Sequence, residues 1–365
     1  MFLPAAYSGS AYKGKKAFFI MRFNLLDLHY SDEDLNLRQC LRAYSIIPKY
    51  CEKPEQKNFE ALKINFQLKK INKKLRKEIG VNWIEKWAKL IPYKLSKNTI
   101  KDWILGRVSI PLIAITVLKE FNCEKEIEEI KKNLKYISST TRGVIRLPDK
   151  MHSDVFYLAG LLLGDGCFPI IKRKGENNFD YKVSYFCGSK DFIFRTITPL
   201  IKEMFEIKEI HPIFYHQAWQ LTIRNKAVFR FFTRIIGLPS GKKSIKAHIP
   251  DTIKNLKPND SVPFFAGLID SDIGKHGNSI GCTFRSEKLV NDLVELLNKL
   301  GIKSKNHGTY LINNKYPQTD FKIKKSEIKR LKYVLDRNYL PKNPERIRAI
   351  NMLLQECPRG QRSYP

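Results

Sequence analysis

Two short runs in this chain say nearly the same thing: Leu158-Ala-Gly-Leu-Leu-Leu-Gly-Asp165-Gly166 and Phe265-Ala-Gly-Leu-Ile-Asp-Ser-Asp272-Ile273. Each is apolar, carries an Ala-Gly pair near its start and closes on an acid. Ser153 is placed to cap the first before Asp154, and Gly166 to stop it; Asp260 or Ser261 opens the second, with Pro263 in its first turn. Both read as helices of about three turns. Ala159-Gly160 and Ala266-Gly267 carry so little side chain that two such helices can pack backbone to backbone on these faces. Asp165 and Asp272 then lie side by side at a shared C-terminal end. The helix dipoles are partially negative there, which favours a cation and disfavours an unpaired pair of carboxylates. Hard oxygen ligands beside phosphates select magnesium with several waters retained. The formal net charge of +30 points to a polyanionic partner.

The residues downstream of each run support a duplicated unit. After Gly166 come β-rich runs from Phe168 to Arg173 and Tyr181 to Cys187, separated by a turn-like stretch at Gly175 to Asn178. A helical stretch from Asp191 to Phe205, strands around Ile213 to Tyr215 and Trp219 to Ile223, and a helix from Lys226 to Ile236 complete the first half. The second half reads as a strand from Ser279 to Arg285, a helix from Glu287 to Leu300, strands at Lys303 to Lys305 and Phe321 to Ile323, and a helix from Ile328 to Leu335. The fold class is α+β: a tandem αββαββα unit with a pseudo-twofold axis between the motif helices.

In these residues the chain resembles the LAGLIDADG homing endonuclease family. The first run matches at Leu158, Ala159, Gly160, Leu161, Asp165 and Gly166, and the second at Ala266, Gly267, Leu268, Ile269, Asp270 and Asp272, with Ser271 a usual variant. It departs at Leu163, where the first motif often carries an earlier Asp, and at Ile273, where the second has Gly. The second helix is therefore expected to end without the residue best suited to a left-handed turn, Gly274 coming one position late. The resemblance implies two four-stranded sheets forming a saddle over double-stranded DNA. It also implies a site in which Asp165 and Asp272 bind Mg2+, with Mn2+ as an alternative, and each serves one strand across the minor groove, leaving 5′-phosphate and 3′-hydroxyl ends. Lys172, Arg173, Lys182, Arg224, Arg285, Lys303 and Lys305 are candidates for the DNA-facing surface. The segment from Gly237 to Pro250 resembles the family segment that supplies an active-site lysine. Its nearest register puts Lys246 in that role and Lys243 second, with Lys322 and Lys324 ranked lower in the second half.

The duplicated unit leaves the first 150 positions to something else. A helix from Phe59 to Ile79 interleaves Leu62, Phe66, Leu68, Ile71 and Leu75 with lysines. From Trp83 to Phe121 the chain resembles the recognition end of a repressor-type helix-turn-helix. Ser96 caps, Ile100, Trp103 and Ile104 share a face, Gly106 ends the helix, and Lys97, Asn98, Thr99 and Lys101 point toward a major groove. The expected domains are a disordered extension over 1–20, a helical domain over 21–137 containing the helix-turn-helix segment 83–121, and a linker over 138–150. The two halves come next, at 151–238 and 259–340 around a lysine loop at 239–258, with a C-terminal helix and tail over 341–365.

No stretch approaches the roughly 18 apolar residues of a membrane helix, and the first twenty residues lack a secretion signal. Seven cysteines without paired metal spacing read as reduced thiols of a cytoplasmic protein. The expected function is that of a monomeric, site-specific double-strand DNA endonuclease working at the nucleoid. A transcription regulator of the same fold lacks the acids that are present here, whereas an RNA maturase, with intron RNA as partner, can retain them. A self-splicing insert needs a terminal nucleophile, and this chain begins Met1-Phe2.

Overall fold

The computed structural model describes residues 25–28, 40–45, 56–139, 143–148, 150–172, 179–241 and 243–355. Arg173, the extension over 1–20 and the tail from Pro358 lie outside the described residues. The N-terminal module carries strand β1 (Arg42–Ala43) and helices α1 (Gln56–Glu78), α2 (Trp83–Leu90) and α3 (Lys97–Leu105). Strand β2 (Ile110–Pro111), α4 (Leu112–Thr116) and α5 (Glu124–Asn133) come after them. Ala61, Ile64, Leu68, Ile71 and Leu75 recur at helical spacing on α1 and are all buried. Trp87 stacks on Trp83 at 5.3 Å and meets Trp103 edge-on at 6.0 Å, so the core of this module is built on indoles. Ser96 accepts from the Thr99 amide, and Gly106 ends α3 with φ 67°, as its sequence implies.

Within the segment expected as a linker over 138–150, described residues on both sides of its Ser/Thr-rich run are strands. Strands β3 (Tyr136–Ser139) and β4 (Gly143–Arg146) pair antiparallel, and with β1 and β2 form a sheet of order β2-β1-β3-β4. Ile137 and Ile145 enter the core directly opposite one another. That burial outweighs the loop-like Ser, Thr and Gly composition between them. The helical module thus carries a small sheet. Its hairpin is tied to the rest of the protein by Tyr136 and Arg146, which donate to Glu206 at 3.0 Å and 3.1 Å.

The first half begins with α6 (Ser153–Asp165), then β5 (Gly166–Cys167), β6 (Ile170–Lys172), β7 (Phe179–Tyr181) and β8 (Val183–Cys187). Ser153 is the first helical residue and His152 occupies the cap. Helices α7 (Lys190–Phe192) and α8 (Thr198–Phe205) are joined through a π turn. Strands β9 (Ile213–Tyr215) and β10 (Ala218–Ile223) and helix α9 (Lys226–Arg230), continued as a π-helix to Ile236, complete it. The single strand expected over Phe168 to Arg173 is split: β5 joins the sheet of order β5-β8-β10-β9, while β6 pairs only with β7 in a separate hairpin.

After two short helices, α10 (Lys243–Lys246) and α11 (Asp251–Lys254), the second half repeats the plan. It contains α12 (Val262–Ser271), β11 (Gly274–His276), β12 (Ser279–Phe284), α13 (Glu287–Lys299), β13 (Ser304–Ile312), β14 (Tyr316–Ile323) and α14 (Ile328–Asn338). Its sheet order, β11-β12-β14-β13, matches the first when strands are counted within each sheet. The brief strands expected at Lys303 to Lys305 and Phe321 to Ile323 are a long hairpin, turned by Asn313 and Asn314 at φ 51°. Helix α15 (Pro344–Gln355) closes the described chain.

Helices α6 and α12 meet at the centre with their C-terminal ends together. A Cβ added at Gly160 would collide with the Phe264 carbonyl oxygen, and one at Gly267 with the Tyr157 carbonyl oxygen. Ala159 and Ala266 are completely buried alongside. Helix α12 stops without a left-handed residue. The amides of Asp272 and Ile273 both bond the Leu268 carbonyl at 2.9 Å, and Ile273 turns into the core. Because each glycine faces backbone that cannot swing aside, Gly160→Ala and Gly267→Ala should each lower unfolding free energy by about 1–3 kcal/mol. Denaturant unfolding checks this, and unchanged midpoints would contradict the contact.

Candidate active site

Asp165 and Asp272 emerge half-buried where α6 and α12 end. A Cβ on Gly164 would reach to 2.5 Å from Asp272 Oδ2, so the second acid lies against the last turn of the first motif helix. Burial raises the Asp165 carboxyl to about 6, Asp272 adds to the rise, and Lys243 and Arg346 oppose it. Burial likewise raises Asp272 against the same two cations. Among the described residues, neither carboxylate accepts a hydrogen bond or joins an ion pair. No group of three or more His, Cys, Asp or Glu side chains converges anywhere among them either. Two free carboxylates without an all-protein cage suit magnesium, which is commonly held through one or two carboxylates with waters and substrate phosphates completing its shell.

Of the two loop lysines, Lys243 and not Lys246 reaches the site. Its ammonium donates to the carbonyls of Leu162 at 3.0 Å and Leu163 at 2.6 Å, and also to that of Gly164, closing the last turn of α6. Burial lowers its pKa to about 8, while Asp272 and Asp165 pull it upward. Lys246 is exposed, and its carbonyl meets His248 Nδ1 at 2.9 Å. The structure thus brings the second-ranked lysine of the sequence reading to the end of α6 and leaves the first-ranked one, Lys246, in solvent.

Arg346 on α15 is a site residue that no local sequence signal marks. Its Nη2 donates to the Ser271 carbonyl at 2.6 Å at the end of α12, and its other amino group lies over Gly274, where any Cβ would meet it. It arrives on a strap that buckles both motif helices. Tyr339 and Lys342 donate to Asp154 at 2.5 Å and 3.0 Å, and the Lys342 amide donates to Asp270 Oδ2 at 2.6 Å. Tyr157 donates to the same oxygen at 2.7 Å. Asp270, 3 % exposed, is thus occupied structurally.

The remaining candidates are spread over the solvent faces of the two four-stranded sheets, the separate β6–β7 hairpin and α3. In the second sheet Ile280 and Ile323 face the core, so Lys305, paired with Lys322, is on the opposite face, and Lys303 shares its parity. Arg285 lies over the Tyr316 ring at 4.9 Å. In the first sheet the corresponding face is neutral: Ser184, Gln220 and Thr222 are linked at 2.9–3.4 Å, with Lys182 and Arg224 at its end. Lys172 is exposed on the separate hairpin. On α3, Asn98 and Lys101 are exposed, Thr99 is bonded to Ser96 at 2.9 Å, and Lys97 is ion-paired with Glu85.

A carboxyl whose folded pKa exceeds its unfolded value of 3.8 costs stability once ionised. The cost is absent below about pH 4, grows as pH rises through 6 and is complete above it. Metal-free Asp165→Asn should therefore be about 1–2 kcal/mol more stable than the parent at pH 8, with the advantage vanishing toward pH 4. Urea unfolding across that range measures it; a destabilised variant at pH 8 would contradict the free-carboxylate geometry.

No protein-family model and no curated protein matches the chain. Solved structures do. Mesophilic variants of the homing endonuclease I-DmoI are 20% identical at TM-score 0.44, covering 54% of this chain and 96% of theirs; I-DmoI also appears in complex with DNA and Mn or Ca. The homing endonuclease I-WcaI bound to its DNA recognition sequence is 17% identical at TM-score 0.37, over 54% of this chain and 85% of that one. The LAGLIDADG meganuclease I-AabMI bound to uncleaved DNA is 16% identical at TM-score 0.36, over 55% and 89%. The structures this chain is similar to are homing endonucleases, each covered almost whole by about half of it.

Proposed function

We propose that this chain is a LAGLIDADG-type endonuclease that cuts both strands of duplex DNA at a specific site. The observation that carries the reading is the pair of half-buried carboxylates, unpartnered among the described residues, held at the joined ends of two helices in a chain of net charge +30. Such a pair is electrostatically incomplete and is completed by a divalent cation and a phosphate. Bound there, Mg2+ or Mn2+ supplies Lewis-acid polarisation of the phosphodiester and of a water nucleophile.

The rest of the chemistry belongs to the chain. Asp165 and Asp272 hold the cation position, one for each strand. Lys243 keeps a positive charge beside them, stabilising charge that builds on the phosphate oxygens. The sheets place the duplex: Lys303, Lys305 and Arg285 meet phosphates on one half, while Lys182, Arg224 and Lys172 flank the neutral hydrogen-bonding face of the other. In each strand the oxygen of water bonds to phosphorus as the bond from phosphorus to O3′ breaks. The attacking water gives up a proton to solvent and the departing oxygen takes one from it, leaving 5′-phosphate and 3′-hydroxyl ends. Helix α3 serves as an accessory contact to duplex outside the saddle. One chain holds both halves, so it acts as a monomer.

The test uses duplexes that the protein selects from a randomised library. Asp165→Asn and Asp272→Asn should each abolish linearisation in Mg2+ and still shift the duplex on a gel in Ca2+. Lys243→Ala should slow cutting by roughly 10²–10³-fold, and Lys246→Ala by little. Magnesium-dependent linearisation by the double Asn variant would overturn the proposal.

A further inference from the structure

Each motif helix ends against a cation, and the two cations are different residues. Lys243 comes after the first half, whose last helix ends at Ile236, and closes the end of α6. Arg346 comes after the second half, whose last helix ends at Asn338, and closes the end of α12. Both act through space on Asp165 and on Asp272. Neither cation is ion-paired with a carboxylate among the described residues. The lysines of the late second-half strand do not compete for this position. Lys322 lies on the solvent face of the sheet, 3.9 Å from Asp320, and Lys324 is exposed beyond the strand end.

The two cations differ in what they have left to give. An ammonium has three N–H donors, and those of Lys243 are directed at three carbonyls, Leu162, Leu163 and Gly164. It offers the site charge without a free donor. A guanidinium has five donors in a planar fork suited to phosphate, and among the described residues the hydrogen bond of Arg346 goes to Ser271. Its unspent amino group lies over Gly274, and its charge acts on Asp272. Resting on the endonuclease function, we propose that Arg346 is a phosphate-binding residue of the second half and that the two cleavage centres are therefore unequal. The arginine-served strand is gripped directly and cut first, and the lysine-served strand second. Because Arg346 arrives on the strap that begins at Tyr339, the phosphate contact of the second half depends on the docking of the C-terminal segment, which also fastens the first motif helix through Asp154.

The experiment uses the full chain and a duplex selected from a randomised library, labelled on each strand. In Mg2+ the parent should nick one strand before the other. Arg346→Ala should slow that strand by about a hundredfold and leave the other within a few-fold, so that singly nicked DNA accumulates. Lys243→Ala should place its larger loss on the opposite strand, and Arg346→Lys should restore part of the lost rate. A binding readout in Ca2+ does not depend on turnover. A neutral methylphosphonate at the first-cut linkage should weaken the parent about tenfold more than it weakens Arg346→Ala, with thermal melts reporting whether the variant is folded. Equal slowing of both strands by Arg346→Ala, or equal sensitivity of parent and variant to the methylphosphonate, overturns the inference and leaves the endonuclease function intact. A parent that cuts neither strand overturns that function, and the inference with it.

Discussion

The structure depends on two helices touching through their backbones. Gly160 lies under the Phe264 carbonyl and Gly267 under the Tyr157 carbonyl, so no atom of either residue's own side chain intervenes. With their C-terminal ends together, every residue after the crossing is brought toward its counterpart. Asp272 ends against Gly164, and Asp165 and Asp272 feel each other's charge. A larger residue at the crossing would widen the gap along the whole last turn, and the acids would become two unrelated surface charges.

That closeness works against the fold unless something compensates. Two acids at the negative ends of two helix dipoles repel, and the nearest cations spend their hydrogen bonds on main-chain carbonyls rather than on the acids. Lys243 and Arg346 therefore reduce the field at the site while leaving the carboxylate oxygens open. The surrounding structure sustains this tension. The strap ties Asp154 on one motif helix and Asp270 on the other through Tyr339, Lys342 and its amide. It also explains a difference between the motifs. Asp270 holds the strap, whereas the equivalent position in the first motif, Leu163, has no strap to hold and is buried as plain core.

The sequence is most informative where a single local rule decides the outcome. The Ala-Gly pairs, the closing acids, the Ser96 cap, the Gly106 stop and the two αββαββα halves are all set by spacing or backbone conformation, and the structure has them. It is least informative where a distant partner decides. Ser138 to Gly143 reads as linker because its composition is loop-like, yet Ile137 and Ile145 find a sheet formed with Arg42 and Ile110. The long β13–β14 hairpin is foreshortened in the sequence because its outer residues, Tyr310, Leu311, Ile312 and Tyr316 among them, are exposed and do not alternate between a core and a solvent face, although Asn313-Asn314 is a legible turn signal. Lys246 ranks over Lys243 in the sequence because register in a short loop is fixed by which side chain meets the carbonyls of α6, a contact across the fold. Arg346 carries no local signal at all. Only its position after the second half, matching that of Lys243 after the first, could mark it.

On the proposed function, the free carboxylates of Asp165 and Asp272 share one cation at the helix junction. Anomalous diffraction from crystals of the protein with a selected duplex and Mn2+ tests it most directly. A manganese peak is expected within coordination distance of both Asp165 and Asp272, beside a DNA phosphate. Crystals with duplex seated on the sheets and manganese bound elsewhere, or bound by neither acid, would contradict it.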